Sequence, residues 1–122
     1  MYVATSGRGL WKPLKMKKIE AVIRKERLGR VKMLLATLGY DGMTIAYVSG
    51  WGRQDEISTK KGPKKHVQIL LPKLKIELIV NDEDVSQVLS AIVRGAKTGE
   101  IGDGNIFIIP IEDMIRVGFN TP

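Results

Sequence analysis

The sequence predicts an α+β chain, a ferredoxin-like βαββαβ sandwich in which one antiparallel sheet carries two helices on one face. Three observations lead there. Strand-like and helical periods alternate twice in the order βαβ, long loop, βαβ. One segment, Val85, Val88, Leu89, Ile92, Val93 and Ala96, follows a single helical face without a break. Another, Leu74, Ile76, Leu78 and Val80, alternates strictly with Lys73, Lys75 and Glu77, as a half-buried strand does.

Taken in order, Met1–Lys15 has no apolar period and contains Gly7, Gly9 and Pro13, so residues 1–15 read as a flexible arm ahead of Met16, a second start-like methionine. Met16–Arg24 is rich in β-branched residues and reads as a strand. Leu28, Val31, Leu34, Leu35 and Leu38 recur at helical spacing, with Gly39 placed to end the helix. Met43–Trp51 is the second strand, with Met43, Ile45 and Tyr47 on one face. From Gly52 to about Ile69 a long exposed loop is expected, because Gly62, Pro63 and the polar residues around them break any pattern. Val67–Val80 resumes as a strand, Asn81 and Asp82 are placed to cap the second helix, Gly99 to end it, and Asn105–Ile111 returns as an apolar strand before a short tail. Residues 16–122 thus form one domain. Apolar residues on both sides of a strand, Val22 against Ile19, Ala21 and Ile23, call for a partner subunit on the bare sheet face.

Composition narrows the function. Lys and Arg number 20 against 13 Asp and Glu, a net charge of +7 that favours anionic partners. The chain has no cysteine and one histidine, which excludes disulfides and thiolate metal sites. No apolar run has transmembrane length and no signal-like core opens the chain, so a cytoplasmic protein without membrane insertion is expected. No Ser-His-Asp set or Walker-type Gly-Lys-Ser/Thr occurs, and the chain reads as a binding protein, not an enzyme.

The candidate site is the run Thr98-Gly99-Glu100-Ile101-Gly102-Asp103-Gly104, whose glycines let successive N–H groups turn toward an anion. The plain alternative is a helix stop followed by a tight turn. A second glycine loop, Gly50-Trp51-Gly52-Arg53-Gln54, and the arginines Arg53 and Arg116 strengthen the anion reading.

These residues resemble the PII nitrogen-regulatory signalling proteins. The resemblance runs from Met16 to Val117 and rests on Met16-Lys17-Lys18-Ile19-Glu20-Ala21-Val22-Ile23-Arg24, Gly42-Met43-Thr44, both glycine loops and Leu71-Pro72-Lys73-Leu74-Lys75-Ile76-Glu77, all in order. It implies a homotrimer with ATP or ADP, and AMP as a further candidate, in the clefts between subunits. By family position Thr44, Gly52, Arg53, Glu77, Gly102, Asp103, Gly104, Asn105 and Arg116 would line the nucleotide site. Gln54 and Lys73 would hold 2-oxoglutarate beside a magnesium ion on the ATP phosphates, with Gln54 as a metal contact. The loop, with Lys60, Lys61, Lys64, Lys65 and His66, would dock onto an ammonium transporter or a nitrogen-metabolism enzyme.

Departures from the family pattern are specific. Its modified loop tyrosine falls on His66, a phosphorylated serine of some relatives on Lys64, a phosphate-binding lysine on Asn105 and a tail arginine on Gly118. A divergent sensor of ADP, AMP or another small anion is therefore an alternative. RNA binding, known from the same strand arrangement, is a distant one, since the strand Leu74–Val80 offers no aromatic for base stacking and no nucleic-acid partner is expected.

Overall fold

The computed structural model describes residues 2–4, 11–13, 15–56 and 65–118, with side chains over 15–50 and 72–118. Its elements are β1 (Tyr2–Ala4), β2 (Trp11–Pro13), β3 (Met16–Ile23), α1 (Leu28–Ala36), β4 (Thr44–Glu56), β5 (Lys65–Asn81), α2 (Val85–Ala96) and β6 (Gly104–Ile111). Strands β3 to β6 form one antiparallel sheet in the order β4-β5-β3-β6, the ferredoxin-like arrangement that the sequence predicts. In the N-terminal stretch read as an arm, β1 and β2 pair with each other as a separate antiparallel ribbon, Val3 opposite Lys12.

The core lies between the sheet and the two helices. Ile19, Ala21 and Ile23 of β3 and Leu74, Ile76, Leu78 and Val80 of β5 turn to the helix side. There they meet Val31 and Leu35 of α1 and Val88, Ala91, Ile92 and Ala96 of α2. Alternation explains the choice of face, because each of these strand residues is separated from the next by one residue pointing away. The helices meet closely at Gly95, where an added Cβ would lie 2.8 Å from Val31 Cγ2 and 2.9 Å from its Cα.

The face away from the helices is polar at its centre. Glu20 of β3 stands directly opposite Glu77 of β5, a like-charge pair that would repel if left alone. Lys75 bridges it, 3.4 Å from Glu20 and 3.2 Å from Glu77, and Lys18 adds a contact to Glu77 at 3.1 Å. Apolar side chains gather instead on the edge strand β6, where Phe107 and Ile109 share this face and are exposed.

Several boundaries differ from expectation. The loop is shorter than Gly52 to Ile69, because Gly52–Glu56 and Lys65–Ile69 pair as strands in unbroken register, Gly52 opposite Ile69 and Glu56 opposite Lys65. Backbone pairing overrode a stretch with no apolar alternation. Helix α1 stops at Ala36, before Leu38, although Gly39 does take the positive φ of 88° that closes the turn. Helix α2 stops at Ala96, since Lys97 is already extended, and Gly99 begins the next turn without capping.

The caps at Asn81 and Asp82 are absent too. No side-chain cap hydrogen bond forms there, and Asp82 pairs with Lys17 while Asp84 accepts from the Tyr40 hydroxyl. Tertiary partners outcompeted the local N–H groups. Ile45 and Tyr47 do share one face of β4, the helix side, opposite Ile76 and Leu74, but on this outer strand they lie beyond the reach of the helices and are exposed. Met43, just before the strand, packs against the core.

The helix crossing yields a test. Gly95→Ala forces a methyl against the Val31 backbone and is expected to destabilise by about 1–3 kcal/mol in chemical denaturation, the cost of overpacking. Gly29→Ala, also helical but with nothing within 4 Å of its added Cβ, is expected to be neutral or to stabilise by up to about 1 kcal/mol.

Candidate functional site

The glycine loop between α2 and β6 is built around one carboxylate. Asp103 accepts hydrogen bonds from the Thr98 hydroxyl, from the backbone N–H groups of Thr98 (2.9 Å) and Gly99 (3.0 Å), and from Arg24 Nε (3.2 Å). These donors, the Thr98 side chain first and its backbone N–H next, hold the Asp103 carboxyl well below the usual carboxylate range. Two of the N–H groups that an anion would need are thus already used inside the loop. Asp103 works as the loop's clamp.

Gly104 fixes how the loop joins the sheet. Its φ is +113°, and an added Cβ would fall 1.8 Å from the Val22 carbonyl oxygen. No other residue fits there without moving β6 off β3. Gly102, at φ +95°, brings two cations together, for an added Cβ would lie 3.3 Å from Arg24 Nη2 and 3.6 Å from Lys73 Nζ. Arg24 Nη2 donates to the Ile101 carbonyl at 2.6 Å, and Lys73 Nζ donates to that of Gly102. Burial, with the Arg24 charge beside it, lowers the Lys73 pKa from its ordinary value. A guanidinium and an ammonium side by side at a half-buried corner suit a carboxylate or phosphate group.

Arg24 is the residue that sequence reasoning passed over as a strand end. It stands 77 and 79 positions from its partners Ile101 and Asp103, so spacing alone does not pair them. The usable signal is its position directly after Ile23, the buried end of the central strand, where an adjacent-strand loop returns.

The candidate residues separate into two groups. Gly102, Asp103, Gly104, Asn105 and Lys73 gather at the β6 side, where a recess of about 150 Å³ is lined by Asp103, Gly104, Asn105, Val93, Ala96 and Lys97 among others. Thr44 and Glu77 stand opposite each other on β4 and β5, in a second recess of about 420 Å³ with Lys18, Gly42 and Met43. Glu77 stays ionised there, its pKa lowered by hydrogen bonds from Lys18 and then Lys75.

Thr44 on β4 and Gly104 and Asn105 on β6 stand on the two outer strands, roughly 14 Å apart across the sheet, while Glu77 and Lys73 sit on the inner strand β5 between them. Gly52, Arg53 and Gln54 are strand positions of β4 opposite Ile69, Gln68 and Val67, and Lys65 and His66 are opposite Glu56 and Asp55. Arg116 lies in the exposed segment after β6. Lys60, Lys61 and Lys64 fall outside the described residues.

Against known proteins, the model of the Nitrogen regulatory protein P-II family matches residues 16–119. The chain belongs to the P-II family. It is 44% identical over 102 residues to a nitrogen regulatory protein P-II of Nostoc punctiforme, covering 84% of this chain and 91% of that one. A P-II 2 protein of Methanothermobacter thermautotrophicus is 47% identical over 102 residues, covering 84% and 89%. Among solved structures, B. subtilis GlnK superposes with a TM-score of 0.73 at 31% identity, covering 88% of this chain and 94% of that one. Arabidopsis thaliana PII bound to citrate gives 0.68 at 36%, covering 85% and 82%. The resemblance read from the motifs is therefore correct, and so is the P-II fold. Among the described residues, no helix is long and apolar enough to cross a membrane.

The Asp103 clamp has a pH signature. The folded carboxyl titrates below the unfolded value near 4, so its stabilising contribution is complete at neutral pH and is lost progressively as pH falls below about 4. Asp103→Asn is expected to melt lower than the parent at pH 7 and to show a flatter pH dependence between pH 5 and pH 2. Thermal melts across that range check both; parallel curves contradict the clamp.

Proposed function

We propose that this P-II protein is a cytoplasmic signalling trimer, binding adenine nucleotides between subunits and regulating a transporter or enzyme of nitrogen metabolism through its β4–β5 loop. The supporting observation is the split site. Thr44 lies on one outer strand, with Glu77 beside it on β5, and Gly102–Asn105 lie at the other outer strand, so one copy does not bring them together around a ligand. Head-to-tail association of copies brings opposite edges together and gives a ring when the rotation between copies closes. The exposed Phe107 and Ile109 on β6 give such a contact apolar area.

In this reading Gly102 and Gly104 approach the phosphates, Thr44 and Glu77 hold the base side, and Arg53 and Arg116 supply charge. Lys73 and Gln54, with Arg24 now added, receive a dicarboxylate such as 2-oxoglutarate. The Arabidopsis relative was solved with citrate, an anion of the same class. Magnesium fits as a ligand-borne ion. Gln54 is a neutral oxygen donor, and no group of three or more His, Cys, Asp or Glu forms a metal cage among the described residues; magnesium is commonly held by substrate phosphates with few protein ligands. When bound it would be held in part by Gln54 and would supply positive charge to offset that of the anionic ligands.

Asn105 and Gly118 favour a second reading within the same class, a sensor that prefers ADP or AMP. Each replaces a cationic position of the family pattern, and a hydrogen bond to a charged group contributes roughly 1.5–3 kcal/mol. RNA binding gains nothing from the sheet. The central strands present Lys18, Glu20, Lys75 and Glu77 on the open face, an ion-pair ladder with no stacking platform.

Titration calorimetry with ATP, ADP and AMP, each with and without 2-oxoglutarate, tests the reading. The expected result is nucleotide binding with weak ATP preference. Asn105→Lys combined with Gly118→Arg should raise that preference by about 10-fold or more. Lys73→Ala should abolish any 2-oxoglutarate effect on the Mg-ATP complex. Sedimentation showing a stable monomer at micromolar concentration contradicts the intersubunit site.

A further inference from the structure

The chain enters β4 without first closing onto β5. Thr44, the first residue of β4, is opposite Glu77, and continuing that antiparallel register backward would set Tyr40 opposite Asn81. No ladder forms there. Residues 40–43 belong to no helix or strand, and the recess of about 420 Å³ opens between Gly42–Thr44 on one side and Glu77–Ile79 on the other.

A side chain spans the far end of this opening. The backbone N–H of Asn81 donates to the Tyr40 hydroxyl oxygen at 3.3 Å, where a ladder would offer a backbone carbonyl, and the same hydroxyl donates to Asp84. Burial, and then the Asp84 hydrogen bond, raise the Tyr40 pKa from its ordinary value, so the hydroxyl stays protonated at neutral pH. Asp84 stands at the N-cap position of α2 yet makes no side-chain cap bond there. It gives up the contact that aspartate ordinarily makes at a helix start.

The strip between Tyr40 and Thr44 has few other supports. An added Cβ at Gly42 would meet nothing within 4 Å, and Asp41 is exposed. A glycine without packing neighbours leaves its backbone free to drift. Two anchors bracket it. Tyr40 packs against the core and its N–H donates to the Leu35 carbonyl at 3.1 Å, and Met43 packs against the core on the other side of Gly42.

We propose that Tyr40 is a positioning residue for the nucleotide: its hydroxyl, bridging Asn81 and Asp84, is the strut that fixes Gly42–Thr44 and with them the width of the recess. This rests on the recess of Thr44 and Glu77 being the base side of the nucleotide site, and adds what holds it open. Tyr40 acts through the strip and touches no ligand in this role. Without the strut the binding-competent form is populated only in part, and apparent affinity falls by that fraction. Because the strut acts at the base end, the loss is the same factor for nucleotides with different numbers of phosphates.

Titration calorimetry of the full chain with ADP and with AMP, joined to hydrogen exchange on the ligand-free protein, tests this. Tyr40→Phe keeps the ring and loses the hydroxyl, and is expected to weaken both nucleotides by about tenfold. Asp84→Ala removes the contact from its other end and should match that loss. Asp84→Asn retains an oxygen acceptor and should stay within about threefold of the parent. The Asn81 amide should exchange faster in Tyr40→Phe while amides inside α1 and α2 keep the parent's rates, which separates local release from a general loss of stability. A Tyr40→Phe protein that melts lower but binds both nucleotides like the parent overturns the proposal, as does Asp84→Asn binding as weakly as Asp84→Ala. Weakened ADP with unchanged AMP overturns it too, since the effect would then lie at the phosphates. A parent that binds neither nucleotide overturns the nucleotide reading and the strut with it, whereas a binding parent with unchanged variants overturns the strut alone.

Discussion

Everything at the candidate site depends on how β6 is held against β3. At Gly104 the chain passes so near the Val22 carbonyl that a methyl group has no room, and the loop before it is drawn tight by the Asp103 carboxylate. With these two contacts in place, the carbonyls of Ile101 and Gly102 face Arg24 and Lys73. A loosened loop would spread those cations into solvent, where an ion contact contributes little. The site is preorganised by backbone geometry more than by charge.

The same economy of space governs the helices. Gly95 lets α2 come within van der Waals contact of Val31, which draws both helices over β3 and β5 and leaves the outer strands partly bare. That is why Ile108 on β6 and Ile45 and Tyr47 on β4 are exposed, though they lie on the helix side. The sheet is wider than its cover. A protein with this shape has apolar surface at both edges.

Charge has a different role on the open face. Glu20 and Glu77 stand opposite each other and would separate the central strands were Lys75 and Lys18 not interleaved. The alternation of Lys73, Lys75 and Glu77 with Leu74, Ile76 and Leu78 thus serves two ends at once. Its apolar half fills the core, and its charged half stitches neighbouring strands together. The lysine count overstates the free positive charge of the domain, since Lys17, Lys18 and Lys75 are engaged with carboxylates.

By itself the sequence determined the order of elements, the buried face of β3, β5 and α2, and the family, because alternation, helical period and glycine motifs are local properties of the chain. It also located Gly102, Asp103 and Lys73. Tertiary structure alone decided who their partners are. Asp103, expected to face a ligand or its own loop, was committed to the loop and to Arg24, an arginine far away in sequence and silent in any local pattern. Strand pairing decided that Gly52–Glu56 and Lys65–Ile69 are ribbon and not loop, since ladder hydrogen bonds do not require apolar alternation. Competition with distant partners also decided the missing caps, Asp82 going to Lys17 and Asp84 to Tyr40. Local propensity names the groups able to bond; only the folded chain sets which of them meet.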